Sequence, residues 1–279
     1  MVDVKITIVT DSTSDISRQL AEQYDIQVIP AVLVINDQSL EDGLGITREQ
    51  LYKMLPGMKT PPTTAAPSSG VFQQAYTALL KHGADQIISI HLSSKLSGMY
   101  NTAMVAAKAI GNQVRVIDSH HVTLGLGFQV LAAAQAALSG KSLDEIKRRI
   151  AEVYHRTHLV AMLDTLEYAH RSGRISWARS SLSALLQVKP FLGIEDGKVV
   201  RMGETRTRKK GIARLYKMLA EFGPLEQLAV LHSNAEADAI SLAEHFKSRV
   251  KNPPLVINVT SIIGVHVGPN GLGFVAVTA

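Results

Sequence analysis

The chain has 279 residues, of which 46% are hydrophobic and 19% charged, a composition typical of a globular protein rather than a disordered or fibrous one. It contains no cysteine, which excludes disulfides, thiolate nucleophiles, Cys-zinc sites and iron–sulfur clusters. Lys and Arg exceed Asp and Glu by 29 − 24 = 5. This surplus suggests anionic ligands such as phosphate, carboxylate, acidic lipid or nucleic acid, and is too small to choose among them. Its dispersal, without interleaved aromatic residues, argues against nucleic acid.

The N-terminus and the apolar runs bear on the compartment. Met1–Lys5 leads straight into a strand-like stretch, without a basic region, a long apolar region or a small-residue cleavage site. No apolar run reaches the roughly 18 to 20 residues that a membrane span needs. We therefore expect a cytoplasmic protein that makes at most transient contact with a membrane surface.

The first half of the chain alternates β-branched runs with helical patterns. Strands are predicted at Ile6–Thr10, Gln27–Ile35, Gln86–His91 and Gln113–Asp118, and helices at Asp15–Tyr24, Ser69–Lys81 and Gly98–Ile110. This order predicts parallel strands joined by helical crossovers. Polar segments follow three of the strands, at 11–15, 93–98 and 118–121, and should meet at the carboxyl edge of the sheet, where open α/β folds bind ligands.

The segment 59–68 is dense in proline and hydroxyl side chains, so we expect it to lack regular structure and to reach the same edge. Helices are then predicted at Leu124–Leu138 and Ser142–His155, the second opened by a Ser142/Glu145 capping box. A boundary near residue 157 would give an N-terminal domain, 1–157, and a C-terminal domain, 158–279.

The second half mixes strands and helices. Its predicted strands are Leu159–Leu163, Val188–Ile194, Lys198–Glu204, Gln227–His232, Leu255–Val259 and Gly273–Val277, and its helices are Asp164–Arg171, 177–186, one from Lys209, and Ala235–Arg249. Asp196-Gly197 favours a tight hairpin turn. The predicted fold class is α/β with two lobes: a parallel-sheet α/β/α domain followed by an α+β domain with a mixed sheet.

Hydroxyl side chains are the main candidates for ligand contacts. Thr64, Ser93 and Ser94 stand back from the predicted helix starts, and hydroxyl donors suit an anionic oxygen such as a carboxylate or phosphate. Ser68 or Ser69 and Ser97 are better explained as helix caps.

Other patterns favour structure over chemistry. His266, before the glycine-rich turn 268–273, can be structural or can lie near a ligand. Asp118, His120 and His121 do not form a convincing metal set, because adjacent histidines on a strand point apart. A serine hydrolase acting on a lipid ester is the alternative function, although no Gly-x-Ser-x-Gly elbow is present. The basic run Arg206–Lys210 is either a solvated face or a docking surface.

Taken together, several segments resemble the DegV family. They are Thr10-Asp11-Ser12-Thr13-Ser14-Asp15, Thr64-Ala65-Ala66-Pro67-Ser68, Leu92-Ser93-Ser94-Lys95-Leu96-Ser97-Gly98, Ser172-Gly173-Arg174-Ile175-Ser176 and His266-Val267-Gly268-Pro269, with Lys189-Pro190 before the Asp196-Gly197 hairpin. Their order and spacing cover nearly the whole chain.

The resemblance implies a two-lobed protein that binds a long-chain fatty acid in a buried tunnel between or beneath the lobes. By position, Thr64, Ser93 and Ser94 would hold the carboxylate, with Arg174 and His266 near the head group. It also implies a carrier without its own ATP site or other cofactor, which presents the lipid to a separate ATP-binding fatty acid kinase subunit that makes the acyl phosphate.

The chain departs from the family pattern at Ala65-Ala66, where Ser-Gln is usual, at Met99, where Thr is usual, and at Asn270, where Gly is usual. Asn is the non-glycine residue best able to keep a left-handed turn. A lipid is also reasonable energetically. Each buried methylene contributes about 0.8 kcal/mol, so the tail would supply affinity and the hydroxyls orientation.

Overall fold

The computed structural model describes residues 4–175 and 188–279. The chain forms two compact units, the first from Met1–Val32 and Ala65–His155 and the second from Leu33–Thr64 and Arg156–Ala279. The chain thus leaves the first unit at residue 33 and returns at residue 65, an excursion that the division predicted at residue 157 does not include. The helix predicted over 177–186, and Ser176, lie outside the described residues.

In chain order, the strands are β1 (Ile6–Asp11), β2 (Ile26–Ile29), β3 (Val32–Ile35), β4 (Gln38–Glu41), β5 (Thr63–Ala65), β6 (Gln86–His91), β7 (Val114–Asp118), β8 (Thr157–Met162), β9 (Lys189–Glu195), β10 (Lys198–Thr205), β11 (Leu225–His232), β12 (Leu255–Asn258) and β13 (Leu272–Thr278). The helices are α1 (Arg18–Gln23), α2 (Arg48–Met54), α3 (Ser69–Lys81), α4 (Met99–Ile110), α5 (Leu124–Leu138), α6 (Leu143–Arg156), α7 (Glu167–Ser172), α8 (Arg208–Ala220), α9 (Glu236–Phe246) and α10 (Ser261–Val267).

The first unit is built on a parallel sheet in the order β2-β1-β6-β7. Strands β1 and β6 are buried almost along their whole length, as expected for a parallel sheet covered on both faces. Its core joins Ile8, Ile88 and Ile90 of the sheet to Leu126 and Val130 of α5. The predicted parallel sheet is therefore confirmed.

The second unit contains a six-stranded sheet in the order β10-β9-β8-β13-β11-β12. Strands β11 and β12 pair in parallel and the other neighbours antiparallel, so the predicted mixed sheet is also confirmed. The turn between β9 and β10 has Asp196 and Gly197 at φ 46° and 77°, as expected for a tight hairpin. Buried Phe191, Phe246 and Phe274 fill the core. Strands β4, β3 and β5 form a separate small sheet.

Three local predictions were wrong. The strand predicted over 27–35 is two strands, β2 and β3, because Pro30 between them has no amide hydrogen to continue a ladder. The helix predicted from Asp15 begins at Arg18, since Asp15 is left-handed, with φ 55°, and Ser17 caps the helix. The irregular segment 59–68 contains the short strand β5.

The residues before the glycine-rich turn form helix α10, for which no element was predicted. By contrast, the Ser142/Glu145 capping box is present, with Oε2 of Glu145 accepting from the Ser142 amide at 2.9 Å. Within 4–175 and 188–279, no helix is both long enough and apolar enough to cross a bilayer.

Candidate functional site

A cavity of about 260 Å³ lies within the second unit. Leu55, Met58 and Val265 contribute apolar walls. Polar side chains also line it: Thr63 and Thr64 from β5, Tyr168, Arg171 and Ser172 from α7, Arg174 just after α7, and His266 from the last turn of α10. An apolar pocket with a few converging polar groups is the usual form of a small-molecule site, and this volume lies at the small end of the range.

Thr64 and His266 form a hydrogen-bonded pair in this cavity. Oγ1 of Thr64 lies 2.9 Å from Nε2 of His266, although the two residues are 202 positions apart in the sequence. When Nε2 carries the proton it donates to the threonine oxygen, and the threonine O–H is then left to donate to a ligand. The pair therefore suits an acceptor such as a carboxylate oxygen.

His266 is neutral at physiological pH. Burial, together with the positive charge of Arg174, lowers the pKa of His266 to about 4. Within the described residues, its buried Nδ1 has no hydrogen-bond partner. Near pH 7 the ring therefore carries no positive charge with which to attract an anion. In the structure the ring makes its hydrogen bond to Thr64.

Two arginines give the cavity its charge. Arg174 follows Gly173, whose φ of 70° ends α7 in a left-handed turn. Its guanidinium donates to the Ser172 carbonyl at 2.6 Å, which fixes part of an otherwise exposed side chain. Arg171 is paired with Glu167 at 2.6 Å. Because Arg174 has no carboxylate partner among the described ion pairs, it is the better placed of the two to attract an anion.

Close packing holds the end of α10 that carries His266. A Cβ at Gly264 would lie 2.6 Å from the Tyr52 ring, so only glycine lets α2 pack this closely on α10. The hydroxyl of Tyr52 also donates to the Val259 carbonyl at 3.0 Å. Ser233 holds the following turn, since its hydroxyl donates to the Gly268 carbonyl at 2.7 Å and accepts from the Gly271 amide at 2.7 Å.

Asn270 has φ 62°, the left-handed conformation predicted for it. This residue thus keeps the geometry for which glycine is usual at this place in the turn.

Ser93 and Ser94 belong to the first unit, in the loop that follows β6. Ser93 is fully buried and Ser94 is partly buried. Every main-chain amide from Leu92 to Ser97 donates to a protein acceptor: Leu92 to Asp11, Ser93 to the His121 carbonyl, Ser94 to Asp118, Lys95 to the Ser93 hydroxyl, and Leu96 and Ser97 to the Ser93 carbonyl. The amides of this stretch are therefore all engaged within the protein.

A buried chain of hydrogen bonds lies beneath this loop. The Tyr76 hydroxyl donates to Ser89 at 2.8 Å, Ser89 lies 2.7 Å from Nε2 of His91, and Nδ1 of His91 lies 2.9 Å from Asp11. Burial raises the pKa of Tyr76 to about 12, so it remains a donor. Asp11 also accepts from the amide and hydroxyl of Thr13.

Ser89, His91 and Asp11 are hydrogen-bonded in the same order as the serine, histidine and aspartate of a hydrolytic triad, but a substrate cannot reach them. All three side chains are fully buried, and the Ser89 oxygen is occupied by Tyr76. The amides of the adjoining loop are also engaged and do not form an oxyanion hole. The serine-hydrolase alternative therefore has no support.

The remaining candidates have structural contacts. The His120 amide donates to Asp118 at 2.9 Å, and both His120 and His121 pack on Tyr154. Across the described ranges, no group of His, Asp and Glu is arranged to hold a metal ion. In the basic run, Arg208 is paired with Asp238 at 2.6 Å.

The structure thus brings Thr64, Arg174 and His266 together around one cavity and places Ser93 and Ser94 in the loop after β6 of the first unit. Sequence reasoning missed Tyr168, Arg171, Asp11 and Ser233. Asp11 could have been proposed, since it belongs to the Thr10–Asp15 motif, but its hydrogen-bond partners His91 and Leu92 are distant in the sequence. Nothing in the sequence indicated Ser233, whose contacts depend on the turn at 268–271.

Comparison with known proteins identifies the family of the chain. The chain matches a family model described as "Uncharacterised protein, DegV family" over residues 5–279. It is 36% identical over 276 residues to a DegV domain-containing protein of Streptomyces coelicolor, covering 97% of each chain.

Among solved structures, a Thermus thermophilus DegV family protein, described for its fatty acid binding, has a TM-score of 0.91 and 29% identity, with coverage of 99% of this chain and 100% of that one. DegV of Bacillus subtilis, described as a fatty acid binding protein, has a TM-score of 0.87 and 30% identity, again covering 99% of this chain and 100% of that one. With a family match along nearly the whole chain, and relatives of this identity and coverage, the chain belongs to the DegV family.

Proposed function

We propose that this protein binds a long-chain fatty acid and holds its carboxylate through Thr64 and His266, with Arg174 at the same head group. The observation that carries the proposal is the Thr64–His266 hydrogen bond inside a partly apolar cavity lined by Arg174. The fatty acid binding stated for the T. thermophilus and B. subtilis relatives supports it. Ser93 and Ser94 remain predicted contacts of the carboxylate.

The cavity is large enough for the head group of a fatty acid but not for its whole tail. About 260 Å³ suits a carboxylate and a short part of the chain rather than a whole long-chain fatty acid. Each additional buried methylene stabilises the complex by about 0.8 kcal/mol, whereas the polar groups fix the orientation. Affinity should rise with tail length, and selection for an acid should depend on Thr64.

We propose further that the protein is a carrier rather than a complete enzyme, needs no cofactor, and presents the lipid in the cytoplasm to a separate ATP-binding fatty acid kinase subunit. The carboxylate would then become an acyl phosphate. Arg174, exposed and beside the cavity, would stabilise the added negative charge. Transient contact with a membrane surface would allow lipid exchange, and the run Arg206–Lys210 is a candidate docking surface for the partner.

A competition experiment tests the binding function. Delipidated protein is titrated with a fluorescent fatty acid, which is then displaced by a fatty acid or by the alcohol of the same chain length. Since a hydrogen bond to a charged group contributes about 1.5 to 3 kcal/mol, the acid should compete at least about tenfold better. Equal competition by acid and alcohol, or no displacement by either, would contradict the proposal.

The carrier role is tested with Arg174→Ala and, as the matched control, Arg18→Ala, since Arg18 is an exposed arginine of α1 paired with Glu22. Each lipid-loaded variant is mixed with the kinase subunit and ATP. Arg174→Ala should reduce acyl phosphate formation more than lipid binding, because the arginine stabilises the negative charge that is added as the acyl phosphate forms. Product formed with ATP but without a partner subunit would refute the carrier role.

A further inference from the structure

Ser233, directly after β11, bonds to the turn 268–271 with every polar group it has. Its buried hydroxyl donates to the Gly268 carbonyl and accepts from the Gly271 amide, both at 2.7 Å. Its amide donates to the Gly271 carbonyl at 3.1 Å, and its carbonyl accepts from the Asn270 amide at 2.6 Å. These bonds fasten the turn to the end of β11.

Gly268, which the Ser233 hydroxyl holds, ends the helix that carries His266. The Gly268 amide donates to the Gly264 carbonyl at 2.8 Å, and its φ of 73°, which glycine adopts without strain, turns the chain out of α10. His266 lies in the last turn of this helix, next to Gly268 but for one residue. A movement of Gly268 would therefore move His266 as well.

The same glycine supports the ring of Tyr168, which forms another wall of the cavity. A Cβ at Gly268 would lie 2.2 Å from Cδ2 of Tyr168, so the ring packs directly on the glycine. Tyr168 and His266 both line the cavity, as does Thr64. Two walls of the cavity thus depend on the position of one residue.

The hydrogen bond between Thr64 and His266 tolerates little movement. Its two atoms lie 2.9 Å apart, and a hydrogen bond is lost beyond about 3.5 Å. Helix α10 has only seven residues, too few to hold its own geometry without tertiary contacts. The Ser233 hydroxyl supplies such a contact at the end of the helix that carries His266.

We propose that Ser233 is a positioning residue for the head-group site, which holds Gly268 and thereby keeps His266 within hydrogen-bonding distance of Thr64 and Tyr168 in the cavity wall. The inference rests on the proposed function, in which the Thr64 hydroxyl is left to donate to a carboxylate. A bond to an ionised oxygen is stronger than a bond to a neutral one and loses more when its donor is misplaced. Ser233 therefore determines the preference for an acid without touching the ligand.

The binding test compares Ser233→Ala with Val230→Ala. Val230 is buried in the core on β11 and is not a cavity residue, so its truncation destabilises the protein without altering the turn. Affinities for a fatty acid and for the alcohol of the same chain length are measured by displacement of a fluorescent lipid. Ser233→Ala should weaken binding of the acid about tenfold more than binding of the alcohol, whereas Val230→Ala should leave the ratio of the two affinities unchanged.

The pH titration of the His266 ring is a second readout, which needs no lipid. Its NMR signal is followed in delipidated protein and assigned by its absence in His266→Gln. Burial holds the pKa of His266 at about 4, and in Ser233→Ala this pKa should rise because a displaced ring reaches water. Val230→Ala should not change it. Ser233→Cys, which keeps a weaker donor at the same position, should give a smaller change in both measurements.

An unchanged titration of His266 in Ser233→Ala, or equal weakening of acid and alcohol, would overturn the inference. If Ser233→Ala does not fold, Ser233→Cys decides the question by the same two measurements. If the unsubstituted protein does not prefer the acid, the proposed function fails. That failure is distinguishable, because the titration still tests whether Ser233 positions His266.

Discussion

The loop 92–97 of the first unit and the Thr64–His266 pair of the second are both predicted to meet a carboxylate, but they satisfy their own polar groups differently. In the loop, the amides are fully used and the supporting carboxylates are buried or nearly so. At the pair, Nδ1 of His266 is buried without a partner in the described structure, and Arg174 is exposed. The first is a fixed scaffold, whereas the second leaves hydrogen-bonding capacity for a ligand.

The largest effect should come from removing the centre of the scaffold. Asp11→Ala strands the His91 ring and the amides of Thr13 and Leu92, all buried donors that lose their acceptor. Each buried donor left without an acceptor costs about 1 to 3 kcal/mol, so the free energy of unfolding should fall by about 3 kcal/mol or more. Urea denaturation measures the loss. Asp85→Ala, at an exposed site with one bond, should cost less than about 1 kcal/mol. A similar loss in both variants would show that the buried network around Asp11 stabilises the fold no more than a single exposed hydrogen bond does.

A substitution in the Thr64–His266 pair should instead affect ligand binding more than stability. Thr64→Val removes the hydroxyl that would contact the ligand, and should weaken fatty acid binding by about 1.5 to 3 kcal/mol. Because it also leaves Nε2 of His266 without its acceptor, stability should fall by about 1 kcal/mol, less than in Asp11→Ala. Thr205→Val is the control, because the Thr205 hydroxyl bonds only to the Thr207 carbonyl among the described contacts. Calorimetric titration and thermal unfolding report the two quantities separately. Unchanged affinity in Thr64→Val would remove this residue from the site.

The contrast also explains how far the sequence was informative. The alternation of strands and helices predicted the parallel sheet, and the Asp-Gly turn predicted the hairpin, since both depend on local patterns. Thr64 and His266 were candidates from local patterns and Arg174 only from family resemblance, but the contact between Thr64 and His266 could not be predicted, because a contact across 202 positions leaves no local pattern. The sequence also did not show that residues 33–64 belong to the second unit, because this depends on contacts with distant residues. The only local sign of it was Pro30, which follows the end of β2.

The neutral state of His266 gives a pH-dependent effect on stability. Its ring takes up a proton near pH 6.5 when unfolded but at a pKa of about 4 in the folded protein. Between these values the unfolded state binds more protons, so the contribution to stability present above pH 6.5 is lost as the pH falls towards 4. Without ligand, His266→Gln should lose less stability than the unsubstituted protein between pH 7 and 4. Burial also lowers the pKa of His158 and His232, which both proteins retain. Parallel stability curves would contradict a buried neutral ring.

The smallest effect concerns the turn beside the pair. Asn270 is left-handed at φ 62°, so Asn270→Ala should lower the free energy of unfolding by about 1 kcal/mol, whereas Asn270→Gly should be nearly neutral. Asn101→Ala, at an exposed position of helix α4, should not destabilise. Chemical denaturation of the three variants checks this order. Equal stability of Asn270→Ala and Asn270→Gly would show that the turn is not constrained at this residue.

The most direct test of lipid binding needs no substitution. Protein produced in bacteria is purified without detergent and denatured, and its organic extract is analysed by mass spectrometry against an extract of an unrelated protein purified in parallel. We expect a long-chain fatty acid in the extract, stoichiometric with the chain and absent from the control. An extract without fatty acid, from a protein that also fails to bind added fatty acid after refolding, would contradict the proposal that this chain is a fatty acid carrier.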